Sequence, residues 1–200
     1  MWRTEFPSRR NRVARIETAA GPAVEKQFRD AESAKKEIEV YRLLAGTPLP
    51  HAQVLAADSE WLRLSLLPGV TFTELLEQQE QAGTFDFAPW KQLADWVMAF
   101  HRLTGLMMTD CNLRNFLYEE KTQTAYGLDF EECCTGNVLE MAAQLCAFVP
   151  LYAPEHTPMK RELAERLQAY FAQELPCDKL WLAEMVTASQ RAIQKRREQK

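Results

Sequence analysis

Apolar and polar positions alternate with a period of two over Arg12 to Glu17 and again over Ala23 to Phe28, and Ala20-Gly21-Pro22 between them reads as a turn, so a β-hairpin is expected near the start of the chain. From Glu32 to Leu44 the period lengthens to that of an amphipathic helix, with Glu37, Val40, Tyr41 and Leu44 on one stripe. Strands at His51 to Ala57 and Trp61 to Leu66 complete a small antiparallel sheet, after which Leu67-Pro68-Gly69 breaks the pattern. Beyond that break the chain is mainly helical. A first helix covers Thr73 to Gln79, and Pro89 opens a second with Trp90, Leu93, Ala94, Val97 and Phe100 facing inward before Gly105 ends it. Asn137 caps a third that runs through Phe148. Thr157-Pro158 opens a fourth with Leu163, Leu167, Tyr170 and Phe171, and Asp178 a fifth with Trp181, Met185 and Ala188. Trp90, Trp96 and Trp181 read as helical core. The pattern predicts an α+β fold in two parts, a sheet-bearing part over residues 1–67 and a helical part over residues 68–200, with Leu67-Pro68-Gly69 as either the hinge between them or an ordinary strand-to-helix turn.

One interruption among the helices carries chemistry. Two short apolar strands flank the turn Glu119 to Thr124, and pairing them as a hairpin brings Asn115, before the first, close to Asp129, after the second. Asp110 lies five residues before Asn115, in Thr-Asp-Cys-Asn-Leu-Arg-Asn, and Asp129 opens Asp-Phe-Glu. Oxygen donors converging in this way suit Mg²⁺. Taken alone, Asp110 and Asn115 also fit simple turn caps.

Upstream, Lys26 shares a strand face with Val24 and Phe28, and a buried ammonium needs a partner. Glu37 lies on the apolar stripe of the next helix and can meet it; Glu39, off the stripe, is the alternative. A solvated edge-strand Lys beside a surface helix carboxylate fits these residues equally.

Over roughly Arg12 to Ala147 these residues together resemble a minimal member of the protein-kinase-like superfamily, nearer to aminoglycoside-phosphotransferase, Rio-type and lipopolysaccharide-core sugar kinases than to eukaryotic protein kinases. The resemblance implies a bilobal kinase-like fold with ATP and Mg²⁺ as cofactors. It implies Lys26 on the nucleotide phosphates, Glu37 orienting that Lys, Asp110 as the base, and Asn115 and Asp129 holding Mg²⁺. Backbone groups at Leu66 and Leu67 would then meet adenine. The chain departs from the family pattern at three places: Met108 stands where a His is usual two residues before the Asp, Glu131 stands where Gly usually ends Asp-Phe-Gly, and no Gly-rich loop precedes Lys26. Phe6 to Asn11 occupies that loop's place, where Arg9 and Arg10 either meet phosphates or form a solvated basic turn.

Composition narrows the classes. With 46% hydrophobic residues among 200 the chain can bury a sizeable core, and a net charge of −4 with a pI near 5.5 argues against a general nucleic-acid binder. Basic residues gather at Arg3, Arg9, Arg10, Arg12 and Arg15 and again from Arg191 to Lys200, where they complement the dipole of a final helix. Five cysteines show no metal-ligand spacing, and no apolar stretch reads as a signal sequence or a transmembrane segment, so a cytoplasmic protein is expected. Only Phe130 to Gly136 separates Asp129 from the next helix, too little chain for a peptide platform. The expected acceptor is therefore a small hydroxylated molecule or a saccharide, with Glu131 and Glu132 either touching it or solvated. A Rio-like protein serine kinase and a catalytically silent nucleotide-binding module are the alternatives.

Overall fold

The computed structural model describes residues 3–8 and 10–199, so Arg9 and Lys200 lie outside the described residues. The chain opens with β1 (Arg3–Phe6), β2 (Arg12–Thr18) and β3 (Gly21–Gln27), then α1 (Ala31–Leu44), β4 (Val54–Ala57) and β5 (Trp61–Ser65). These strands form one antiparallel sheet in the order β1-β2-β3-β5-β4. β3 is its centre, with Lys26 opposite Val13 on one side and Leu62 on the other. Leu62 and Leu64 are buried on the face that carries Lys26, while Ala14, Ile16 and Ala23 are buried on the other. Strand β1 was not foreseen, and β4 begins at Val54 rather than His51, whose Nδ1 lies 2.6 Å from the Leu49 carbonyl in the approach to the strand.

Asp30 caps α1 by accepting from the Ser33 amide at 2.8 Å. The helix buries Ala34, Glu37, Val40, Tyr41 and Leu44, the stripe expected from its periodicity.

The rest of the chain is mainly helical, with two small strand groups. After β6 (Val70–Thr71) come α2 (Phe72–Ala82), α3 (Ala88–Thr104), β7 (Leu106–Met107), β8 (Phe116–Glu119), β9 (Thr124–Gly127), β10 (Cys134–Thr135), α4 (Val138–Phe148), α5 (Pro158–Glu174) and α6 (Lys179–Glu198). Among the described residues this makes six α-helices around a mixed α/β core. β8 and β9 form the hairpin about the expected turn, with β6 on its outer edge. On α6 the buried residues are Leu182, Val186 and Ile193, whereas Trp181 is 45% exposed, which corrects the expected core stripe by one position. Only the Leu182 stripe keeps a branched aliphatic through to the last turns; the Trp181 stripe runs out in alanines.

An aromatic stack ties these parts together. Trp96 and Phe100 of α3 stack at 5.3 Å, Phe130 stacks on Phe100 at 5.5 Å, and Tyr41 of α1 meets Phe130 edge-on at 5.1 Å. Trp96 Nε1 also donates to the Pro50 carbonyl at 2.8 Å, fixing α3 to the connection between α1 and β4. Gly127, two residues before Asp129, runs directly beneath Trp96: a Cβ there would fall 2.1 Å from the indole Cη2.

Gly127→Ala is accordingly expected to push on a 3%-exposed indole that is stacked and hydrogen-bonded. Overpacking of this kind costs about 1–3 kcal/mol, and for a chain of this size each kcal/mol lowers Tm by roughly 2–4 °C. Thermal unfolding checks it; a Tm equal to that of the wild type would show that the stack does not hold this strand in place.

Candidate active site

The β8–β9 hairpin pairs Phe116 with Gly127, and the Leu128 amide donates to the Asn115 carbonyl at 2.8 Å. Asn115 and Asp129 are therefore brought to the same end of the hairpin. Asn115 Nδ2 donates to the Asp110 carbonyl at 2.9 Å, and Asn112 Nδ2 donates to Asp110 Oδ2 at 2.7 Å. A single 3₁₀ turn over Leu113–Asn115 closes this loop, braced by the Leu113 amide donating to the Tyr152 hydroxyl at 2.9 Å and the Cys111 amide donating to Gln144 Oε1 at 3.3 Å. Met108 is 2% exposed, so packing holds the position that a His fills in the resembled family. His101 Nε2 lies 3.0 Å from the Gly136 carbonyl.

Asp129 occupies the left-handed backbone region at φ 64, a conformation that Asp tolerates better than most residues. Phe130, fully buried in the aromatic stack, holds that turn from below. The Asp129 carboxylate meets Lys26 Nζ at 2.5 Å across 103 residues of sequence. The same ammonium lies 2.6 Å from Glu37 Oε2 and 3.2 Å from Glu131 Oε2. The sheet thus supplies the ammonium, α1 one carboxylate, and the segment after β9 the other two. Glu39 is exposed and pairs weakly with Lys35 at 4.0 Å, leaving Glu37 as the partner of Lys26.

Glu131 is the residue that the sequence reading missed. It is only 7% exposed, touches Lys26, and accepts a hydrogen bond from Asn11 Nδ2, so it is neither a solvated loop carboxylate nor free to touch an acceptor. Its signal was the Glu that ends Asp-Phe-Glu. Glu132, exposed, takes an ion pair from Arg10. The connection between β1 and β2 is therefore laid across the segment after Asp129. Asp110 is exposed, and Leu66 and Leu67 are half-buried just beyond β5.

The electrostatics are lopsided. Glu37, Asp129 and Glu131 offer oxygens within 4.8 Å of one another, and a single ammonium sits among them. One positive against three negative charges leaves a formal surplus of −2. Burial pushes the Glu37 carboxyl up to about 7, with Asp129 and Glu131 adding to the shift against the opposing pull of Lys26. Burial works to lower the Lys26 value, yet Glu37, Asp129 and Glu131 hold it above its ordinary one, so Lys26 stays charged.

No protein-family model matches the sequence, and no curated protein does. Among solved structures the fold is similar to that of WbdD, in a co-crystal structure with the kinase inhibitor LY294002. The likeness has a TM-score of 0.54 at 20% identity and covers 84% of this chain but 44% of that one, so the present chain spans less than half of the WbdD chain. It is a likeness of fold: a small antiparallel sheet and one helix set against a helical part in a kinase-like arrangement.

The Glu37 shift has a pH signature. A carboxyl held at about 7 in the folded chain against an ordinary 4.5 keeps a proton that the unfolded chain has already lost. The contribution of Glu37 to stability therefore falls as pH rises between 4.5 and about 7, by at most about 1.4 kcal/mol per unit. Glu37→Gln removes the titrating group, so its stability should vary less with pH across that window whatever its absolute level. Urea unfolding at pH 5, 6 and 7 measures both; parallel curves for the two proteins would contradict the assignment.

Proposed function

We propose that the chain is an ATP-dependent phosphotransferase that moves the γ-phosphoryl group to a hydroxyl of a small molecule or saccharide. The observation that carries this reading is the meeting of Lys26 with both Glu37 and Asp129, at 2.6 and 2.5 Å, beside a loop in which Asn115 is bonded to the Asp110 backbone. A fold likeness to a protein crystallised with a kinase inhibitor supports the same reading.

In this proposal residues 1–67 form the nucleotide lobe and residues 68–200 the catalytic lobe, with Leu66 and Leu67 at the hinge against adenine. Lys26 holds the nucleotide phosphates, with Glu37 and Glu131 keeping its ammonium in place. The donor set suits Mg²⁺: the Asp129 side chain is 45% exposed, and the Asn115 amide engages Asp110 through its nitrogen, leaving its oxygen as a donor. Held by Asn115 and Asp129, Mg²⁺ would supply charge neutralisation at the phosphates. Asp110, exposed and turned by Asn112, accepts the proton of the acceptor hydroxyl. Arg10, with Arg9 beside it in sequence, stands where a Gly-rich loop would be and contributes guanidinium groups in place of backbone amides. A cytoplasmic setting goes with this reading, because all five cysteines are unpaired thiols.

A silent nucleotide-binding module is the second reading, and one observation favours it: Arg10 and Asn11 already bond Glu132 and Glu131 across the segment after Asp129. Mutants separate the two. ATP with Mg²⁺ should raise the Tm of the wild type, since a ligand at 100 times its Kd adds about 2.7 kcal/mol. Asp129→Ala should abolish the Mg²⁺-dependent part. Asp110→Asn should keep nucleotide binding and lose about 10²- to 10⁴-fold in transfer, the range of a general base. Equal Mg²⁺·ATP shifts for wild type and Asp129→Ala would remove Asp129 from the metal site, and binding with no transfer to any metabolite, saccharide or protein would favour the silent module.

A further inference from the structure

The basic end of α6 lies against the mouth of the site. Ile193 is 3% exposed, and Arg197 Nη1 donates to the Leu151 carbonyl at 2.9 Å and to Glu155 Oε1 at 2.8 Å, so the last turns of the helix are docked onto the body of the protein. Successive side chains on a helix point about 100° apart. With Arg197 anchored in that direction, its neighbour Arg196 lines a cavity of about 620 Å³ together with Asp110, Thr109, Arg10, Glu132 and Gln199.

Charge within the cavity is already partly assigned. Glu132 is taken by Arg10, and Asp110 Oδ2 accepts from Asn112. Arg196 has no carboxylate partner among the described residues. A favourable helix dipole accounts for basic residues in this last turn but not for one of them lining the same cavity as Asp110. The volume lies within the roughly 300–1,000 Å³ of small-molecule sites. A guanidinium there offers a planar two-pronged donor for an oxyanion.

Resting on the phosphotransferase reading, we infer that Arg196 sets acceptor specificity: the acceptor is a hydroxylated compound that already bears an anionic group, phosphate or carboxylate, and Arg196 holds that group while the hydroxyl faces Asp110. In the transfer, the bond between the γ-phosphorus and the oxygen bridging to the β-phosphate breaks, a bond from phosphorus to the acceptor oxygen forms, the hydroxyl proton passes to Asp110, and ADP leaves. The anionic group keeps its own bonds throughout. Arg196 is thus a positioning residue, and a cationic amino sugar would be repelled from the same wall.

The test compares wild type, Arg196→Lys and Arg196→Glu, after confirming equal Tm in buffer, which is expected because Arg196 is exposed. Binding of a hexose 6-phosphate, a hexuronate, the neutral hexose and an amino hexose is measured by calorimetry without nucleotide, and transfer to each is measured with Mg²⁺·ATP. The two anionic sugars separate phosphate from carboxylate as the recognised group. At least one of them should bind more tightly than the neutral hexose, with a loss of roughly tenfold or more in Arg196→Glu and partial retention in Arg196→Lys. Binding of neither anion, or anion binding equal in wild type and Arg196→Glu, would overturn the inference. Sugar-phosphate binding that Arg196→Glu weakens, with no transfer to any of the four sugars, supports the anion site and counts against the phosphotransferase reading. Transfer to a neutral hexose untouched by Arg196→Glu does the reverse.

Discussion

Lys26 sits on the central strand of the sheet with 7% of its surface exposed, and an ammonium so placed destabilises the fold by several kcal/mol unless carboxylates reach it. Three do, from two separate regions of the chain: Glu37 from α1, and Asp129 and Glu131 from the segment after β9. Each contact fixes one element relative to the sheet. Rotating α1 by one residue would carry Glu37 away, and slipping the β8–β9 register would move Asp129. The aromatic stack of Trp96, Phe100, Phe130 and Tyr41 enforces the same arrangement from the apolar side, because Phe130 is covalently next to both Asp129 and Glu131. Apolar packing and ion pairing thus define one geometry.

That geometry leaves negative charge in excess. Three carboxylates share one ammonium, the most buried of them is pushed up to about 7, and Asp129 keeps nearly half of its side-chain surface open. In the proposed phosphotransferase reading, this surplus beside the Asn115 loop is what a divalent cation would offset. The ties from Arg10 and Asn11 to Glu132 and Glu131 join the connection between β1 and β2 to the segment after Asp129.

Much of this was legible in the sequence where one physical signal dominated. The stripe Glu37, Val40, Tyr41 and Leu44 is buried as its periodicity required; the face shared by Lys26, Val24 and Phe28 left a buried, partnered Lys and a solvated one equally open, and the fold settles it with Glu37 at 2.6 Å. The turn Glu119 to Thr124 fixed the hairpin that brings Asn115 to Asp129. Signals failed where tertiary context chose between equal local options. Both stripes of α6 are apolar, and docking onto α4 selected Leu182, Val186 and Ile193 over Trp181. Glu131 looks like any loop carboxylate until β3 brings Lys26 beside it, and Arg196 looks like a helix-terminal charge until the fold sets it in the wall of the same cavity as Asp110. The placements of Glu131 and Arg196 depend on residues more than 80 positions away, Lys26 and Asp110, which no local pattern encodes.

The proposed phosphotransferase reading stands or falls on nucleotide-bound metal being held at the end of the β8–β9 hairpin. Mn²⁺, which substitutes for Mg²⁺ at oxygen ligands and broadens nearby nuclear resonances, reports this position directly when titrated with ATP into isotope-labelled protein. A site formed by Asn115 and Asp129 requires the amide signals of Asn115, Leu128 and Asp129 to broaden first and only when ATP is present, with those of α5 unaffected. Broadening that spares these residues, or that is the same without ATP, would contradict it.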